Sequence, residues 1–236
     1  SAHPAHRREA MLSAGGTGAG SVWQAMPRTP DKYFPSGHFR TASLRRLGAI
    51  SAPRGATCAI PSRSQTGQQE ELCGPILDPQ LAHAAVCKKG PARVRTHRHL
   101  AAALADCLKL AGADIDLERT VIELAQINED GALKEAVLDI YVLWPGSVTP
   151  YYIDVTIRCP HAGRYLATST TPGYAASQGV AQKEARYGPQ VVTIAIETYG
   201  RIAAQSIGNP EYLAARAGDQ LRDRWATPRL VPEWKE

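Results

Sequence analysis

The sequence predicts an α/β fold: a small mixed β-sheet flanked by helices and preceded by a loop-rich segment. Three observations carry this. Segments of helical apolar spacing alternate with segments rich in β-branched residues from residue 97 onward. Glycine or proline marks most of their ends. Before residue 97 the chain is interrupted by prolines and carries spaced cysteines and histidines.

Taken in order, residues 1–40 are rich in Gly, Pro and Ser and read as a disordered leader. Phe39 to Gly48 predicts one short basic helix ended by its glycine. Through 49–96, Pro53, Pro61, Pro75, Pro79 and Pro91 break any long element. His99 to Leu110 then sets Leu100, Leu104, Leu108 and Ala111 at helical spacing, with Gly112 as a stop. Ile115 to Leu124, containing Thr120-Val121-Ile122, predicts a strand. Two more strands follow over 136–143 and 150–157, joined by the turn Pro145-Gly146-Ser147. Residues 158–173 read as a loop holding Pro160 and Pro172. Tyr174 to Tyr187 reads as a helix ended by Gly188-Pro189. Val191 to Ile196 has the composition of a buried strand, and Asn209 to Trp225 predicts a last amphipathic helix with Pro210 in its first turn. The domain boundaries expected are a leader over 1–40, a basic helix and metal-binding segment over 41–96, an α/β domain over 97–226 and a tail over 227–236.

Charge is unevenly spread. Residues 1–100 hold 14 Lys and Arg against 5 Asp and Glu, whereas the remainder hold 13 against 17. A basic first part beside a mildly acidic second part suits a polyanionic partner held by the first. No apolar run approaches the roughly 18–20 residues of a membrane span, and no secretory signal pattern opens the chain. Five cysteines do not suggest a disulfide framework and suit a reducing, intracellular compartment.

The strongest chemical signal is a pair of acids. Asp139 lies in Val137-Leu138-Asp139-Ile140-Tyr141-Val142 and Asp154 in Tyr151-Tyr152-Ile153-Asp154-Val155-Thr156-Ile157. Neighbouring strands run about 4.8 Å apart, so acids on adjacent strands converge. Both interrupt apolar runs, where an unpaired charge would be expensive. Carboxylates are the ligands that Mg²⁺ prefers, and phosphodiester hydrolysis commonly uses that ion. Lys183, on the next helix, would orient water or neutralise phosphate charge, with Tyr187 four residues on and on the same face. Glu118 would add a third carboxylate.

A second signal is Cys58, Cys73, His83 and Cys87. Three thiols and an imidazole suit a tetrahedral structural zinc, with His97 or His99 as a competing fourth ligand. Cys107 and Cys159 read as small buried apolar residues. Lys88, Lys89, Arg93, Arg95 and Arg98 follow the cysteines as a basic run suited to phosphates, which Arg158, Arg45, Arg46 and Arg164 would extend. Trp144, Tyr151 and Tyr152 are expected to pack the sheet.

Together these residues resemble the PD-(D/E)xK nuclease superfamily, whose core has the order helix, three strands, helix, strand. The restriction-like endonuclease domain of site-specific non-LTR retrotransposon proteins is the more similar group, because its lysine sits on the following helix with a tyrosine four residues on, as in Lys183-Glu184-Ala185-Arg186-Tyr187. Arg98-His99, Ala111-Gly112-Ala113 and Glu118 agree. So does Cys73-Gly74-Pro75-Ile76-Leu77-Asp78 followed by His83-Ala84-Ala85-Val86-Cys87, which is similar to the zinc element upstream of that nuclease. The resemblance covers residues 44–200. Thr156 stands where the superfamily usually has its lysine, and Leu138 precedes the first acid where proline is common.

The resemblance implies a restriction-endonuclease-like core of order αβββαβα and a metal-dependent DNA endonuclease. Asp139, Asp154 and Lys183 would be the catalytic set, with Glu118 and Tyr187 secondary. Mg²⁺ or Mn²⁺ would sit at the acids and Zn²⁺ upstream. The partner would be DNA, or the RNA of a retroelement, in a nuclear setting, with no membrane and no small-molecule cofactor. Two alternatives stand beside it: a catalytically decayed nucleic-acid-binding module of the same fold, and a zinc-stabilised protein-interaction domain.

Overall fold

The computed structural model describes residues 4–16, 19–20, 36–47, 49, 53, 55–61, 72–78, 81–89, 92–168 and 171–206. The helix expected over Asn209 to Trp225 and the tail lie outside these. The chain divides into two compact units. One comprises Ser1–Thr96, Ile157–Ala176 and Ile196–Ile202; the other comprises His97–Thr156, Ser177–Ala195 and Ala203–Glu236.

The second unit holds the helix Ala92–Leu110 from His97 onward and most of a mixed four-stranded sheet. The helix contains no Gly or Pro and is rich in Ala, Leu and Arg, the strong helix formers. Ala101, Ala105 and Leu108 are buried one or two turns apart, and Leu108 anchors the first core cluster. The helix stops where expected. Gly112 takes φ 95°, Gly112 N–H donates to the Lys109 carbonyl, and Ala113 N–H donates to that of Leu108. This is the Schellman pattern, and its left-handed residue favours glycine.

The strands are β1 (Asp114–Thr120), β4 (Val137–Leu143), β5 (Tyr151–Arg158) and β6 (Val191–Glu197), in the order β1-β4-β5-β6. Between β1 and β4 lies a minor hairpin of β2 (Gln126–Ile127) and β3 (Leu133–Lys134). Leu138, Ile140 and Val142 on β4 are wholly buried, while Asp139, Tyr141 and Leu143 between them are half-buried, the period-2 alternation of a strand. Ile140 and Val142 join Ile153, Trp144 and Val192 beneath the helix Ala92–Leu110; Leu138 joins Val121, Tyr187 and Val191 in a second cluster. Tyr151 packs against the first cluster and Tyr152 against the second, as expected of sheet-packing aromatics. Trp144-Pro145-Gly146-Ser147 closes the β4–β5 connection through the Ser147 N–H and the Trp144 carbonyl, with Gly146 at φ 78° as a type II turn requires.

Several expectations change. The first strand ends at Thr120, not Leu124. Val121 turns inward and is buried, and Ile122–Leu124 forms a 3₁₀ turn closed by Leu124 N–H on the Val121 carbonyl. The helix after the loop-rich segment starts at Ala92 rather than His99, and Gly163–Thr168 forms a 3₁₀ turn within the expected loop.

In the first unit the leader is not wholly unstructured: Pro4–Ala14 is a helix. Its last carbonyls, which no intrahelical donor reaches, are taken by guanidinium groups from far along the chain. Arg201 Nε and Nη2 donate to the Leu12 carbonyl at 3.1 and 2.6 Å, and Arg46 donates to that of Ala14. The basic helix spans Ser36–Arg46. Arg46 also donates to the Tyr199 carbonyl, and Arg45 lies over the Tyr199 ring.

Candidate functional site

The acid pair sits where β4 and β5 come apart. Their ladder runs Val142↔Tyr151, Tyr141↔Tyr152, Ile140↔Ile153. The next step of that register sets Asp139 opposite Asp154. There the backbone of β5 turns to side chains. Val155 N–H donates to Asp139 Oδ2 at 2.6 Å, and the Val155 carbonyl lies 2.8 Å from His97 Nε2. A carbonyl only accepts, so Nε2 carries the proton of that bond. His97 Nε2 is also 3.3 Å from Asp139 Oδ2.

Asp154 is buried, at 3% exposure, and Lys183 Nζ of the helix Tyr174–Tyr187 pairs with its Oδ2 at 2.6 Å. Burial raises the Asp154 carboxyl above the usual carboxylate value, and Asp139 adds to this, while Lys183 and His97 pull it down. His97 is raised chiefly by its hydrogen bond to Asp139, against the opposing effect of burial. Thr156, two residues after Asp154, is buried, and the Lys183 amine reaches Asp154 from the helix. Tyr187 is buried in the second core cluster, with Lys183 Nζ 5.5 Å from its ring centre; burial raises its hydroxyl.

Glu118 lies between the paired steps Leu117↔Ile140 and Arg119↔Leu138, level with Asp139 in the register, but its backbone is left-handed at φ 53°. Its carboxylate is exposed and pairs with Arg98 Nε at 3.3 Å. Asp139, Asp154, Lys183 and His97 thus stand together, with Glu118 drawn to the neighbouring arginine. The spacing that makes His97 a zinc-ligand alternative gives no sign of its place beside Asp139. A signal existed: His97 continues the buried helical stripe of Ala101, Ala105 and Leu108 by one turn.

The first unit holds the cysteine–histidine cluster. Bridges Thr57↔Ile76 and Pro61↔Leu72, with Cys58 N–H on the Pro75 carbonyl and Cys73 N–H on that of Ile60, bring Cys58 and Cys73 side by side. His83 comes from the short helix Ala82–Val86, and Cys87 ends it. The four ligand atoms lie within 4.8 Å of one another. Cys58 Sγ is 3.9 Å and Cys73 Sγ 3.6 Å from Cys87 Sγ, and Cys73 Sγ is 3.4 Å from His83 Nε2. Four ligands at zinc–sulfur distance stand about 3.8 Å apart in a tetrahedron, so this cluster could bind a metal such as zinc. Desolvation, then hydrogen bonds to Cys87 and Cys58, push the Cys73 thiol up to about 11. A metal would hold these thiols as thiolates. Asp78, which sequence reasoning passed over, accepts from the Ala82 and His83 amides at 2.9 Å each and so sets the helix that presents His83. His97 and His99 do not join the cluster.

Cys159 is buried as expected, whereas Cys107 is exposed. Lys88, Lys89, Arg93, Arg95 and Arg98 are exposed, and Arg158 is half-buried. No helix among the described residues is long and apolar enough to cross a membrane. No protein-family model, curated protein or solved structure matches the chain.

Proposed function

We propose that this chain is a Mg²⁺-dependent DNA endonuclease module of the retroelement type, with a structural zinc element preceding it. One observation carries the reading: two acids one residue beyond the last paired step of the β4–β5 ladder, one of them buried and paired with a lysine 2.6 Å away. The element order supports it: a helix, three main strands, a helix and a strand. The donor set also fits the ion, since Mg²⁺ is held through one or two carboxylates plus waters and phosphate oxygens.

In this reading Asp139 and Asp154 hold the ion, which supplies a polarised phosphate and an acidified water when bound. Lys183 neutralises charge gathering on the phosphate oxygens from its place beside Asp154. Lys88, Lys89, Arg93, Arg95, Arg98 and Arg158 hold the DNA backbone without reading sequence.

A second reading, a nucleic-acid-binding module that keeps the fold without the reaction, is favoured by Glu118, whose carboxylate is engaged by Arg98. Purified protein incubated with supercoiled plasmid separates the two. Nicking that depends on Mg²⁺ or Mn²⁺ supports the endonuclease, and salt-sensitive DNA binding with no strand scission in either ion supports the binding module.

A further inference from the structure

We infer that His97 is a positioning residue of the acid site: it holds the Asp139 carboxylate by Oδ2 so that Oδ1 is presented to a divalent cation. The inference rests on the endonuclease reading and adds a residue to it.

Two nitrogens face one oxygen. Val155 N–H reaches Asp139 Oδ2 at 2.6 Å, and His97 Nε2 stands 3.3 Å from the same atom. His97 Nε2 also bonds the Val155 carbonyl at 2.8 Å. One imidazole nitrogen, bonded to the Val155 carbonyl and in ion-pair range of Asp139 Oδ2, thus stands between the carboxylate of β4 and the backbone of β5 at the point where their ladder ends at Ile140↔Ile153. The helix Ala92–Leu110 supplies the histidine, and its burial through Ala101, Ala105 and Leu108 fixes where the ring can go. Lys183 Nζ forms an ion pair with Asp154 Oδ2 at 2.6 Å. Each acid thus has a nitrogen against its Oδ2. A carboxylate oriented this way does not pay the entropy of choosing a rotamer when it meets a cation. Groups that orient a ligand from behind typically change metal affinity by ~10–100-fold.

Glutamine separates orientation from imidazole chemistry. Its amide Nε2 stands the same number of bonds from Cα as the histidine Nε2 and donates hydrogen bonds without titrating. The probe is Mn²⁺ alone, titrated calorimetrically into the full chain with its zinc retained, for wild type, His97→Ala, His97→Gln and Asp139→Ala. Amide hydrogen exchange at Val155 is followed in the same proteins without Mn²⁺. We expect His97→Ala to weaken Mn²⁺ binding by ~10–100-fold and His97→Gln to recover most of that loss, with Asp139→Ala binding no Mn²⁺ at the site. Val155 exchange should quicken in His97→Ala and return in His97→Gln. Equal Mn²⁺ affinity in wild type and His97→Ala would overturn the inference, as would a folded His97→Gln no better than His97→Ala. Should wild type neither bind Mn²⁺ nor cut DNA, the endonuclease reading falls by itself. Val155 exchange then decides the clamp, and unchanged protection in His97→Ala overturns it.

Discussion

At Asp154 stability and the proposed chemistry pull in opposite directions. The folded chain raises its carboxyl because burial disfavours the anion more than Lys183 favours it. The sign follows from linkage. A carboxyl that binds its proton more tightly folded than unfolded opposes folding once pH climbs above the ordinary value of 3.8, and fully so above the raised value. Asp154→Asn should therefore be more stable than wild type at pH 7, with the gain vanishing as pH falls below 3.8. Urea midpoints at several pH values check this, and a variant less stable at pH 7 would count against it. A buried acid kept at a cost in stability fits a site maintained for function. At this scale the sequence was informative about residue type. Asp139, Asp154 and Lys183 stood out because charges interrupt apolar strands or occupy the next helix. Contacts that depend on backbone direction did not stand out. His97 reaches Asp139 only because the strand ladder ends there, and Glu118 turns to Arg98 at a left-handed backbone position that no local pattern announces.

Elements defined by strong local chemistry were legible nearly to the residue. The expected strand over 136–143 is β4, Val137–Leu143, and that over 150–157 is β5, Tyr151–Arg158. The helix Tyr174–Tyr187 ends at Gly188-Pro189 as read. What escaped was decided by tertiary demand: the first strand stops where Val121 must turn into the core, and the helix Pro4–Ala14 is completed by Arg201 and Arg46. The Gly112 cap offers a clean test. A Cβ there would meet nothing within 4 Å, so Gly112→Ala should cost only the left-handed backbone penalty, ~1–2 kcal/mol, read from the shift in denaturation midpoint. In contrast, Leu108→Ala opens the first core cluster and should cost about 2–5 kcal/mol. In the cysteine element, Asp78→Ala should weaken zinc retention against a competing chelator, because the helix bearing His83 loses both of its carboxylate-bound amides.

For the molecule as a whole, the change of texture at residue 97 coincides with the start of the second unit. A linear reading could not see that Ile157–Ala176 and Ile196–Ile202 return to the first unit, since that grouping follows from long-range pairing and not from composition. The first unit has a loop-rich stretch whose folding a metal would support. Protein purified without chelator should carry about one zinc per chain by elemental analysis, and Cys73→Ser should lose it; zinc well below half-occupancy in wild type would count against the cluster as a metal centre.

The central claim is that the acid fork cuts DNA. It is tested most directly by Mg²⁺-dependent plasmid nicking with wild type, Asp139→Asn, Asp154→Asn and Lys183→Met, with DNA affinity measured alongside. Each substitution should slow nicking by at least ~100-fold while leaving affinity close to that of wild type. Cleavage by Asp154→Asn at the wild-type rate, or a wild type that binds DNA and leaves it intact in both Mg²⁺ and Mn²⁺, would contradict the claim.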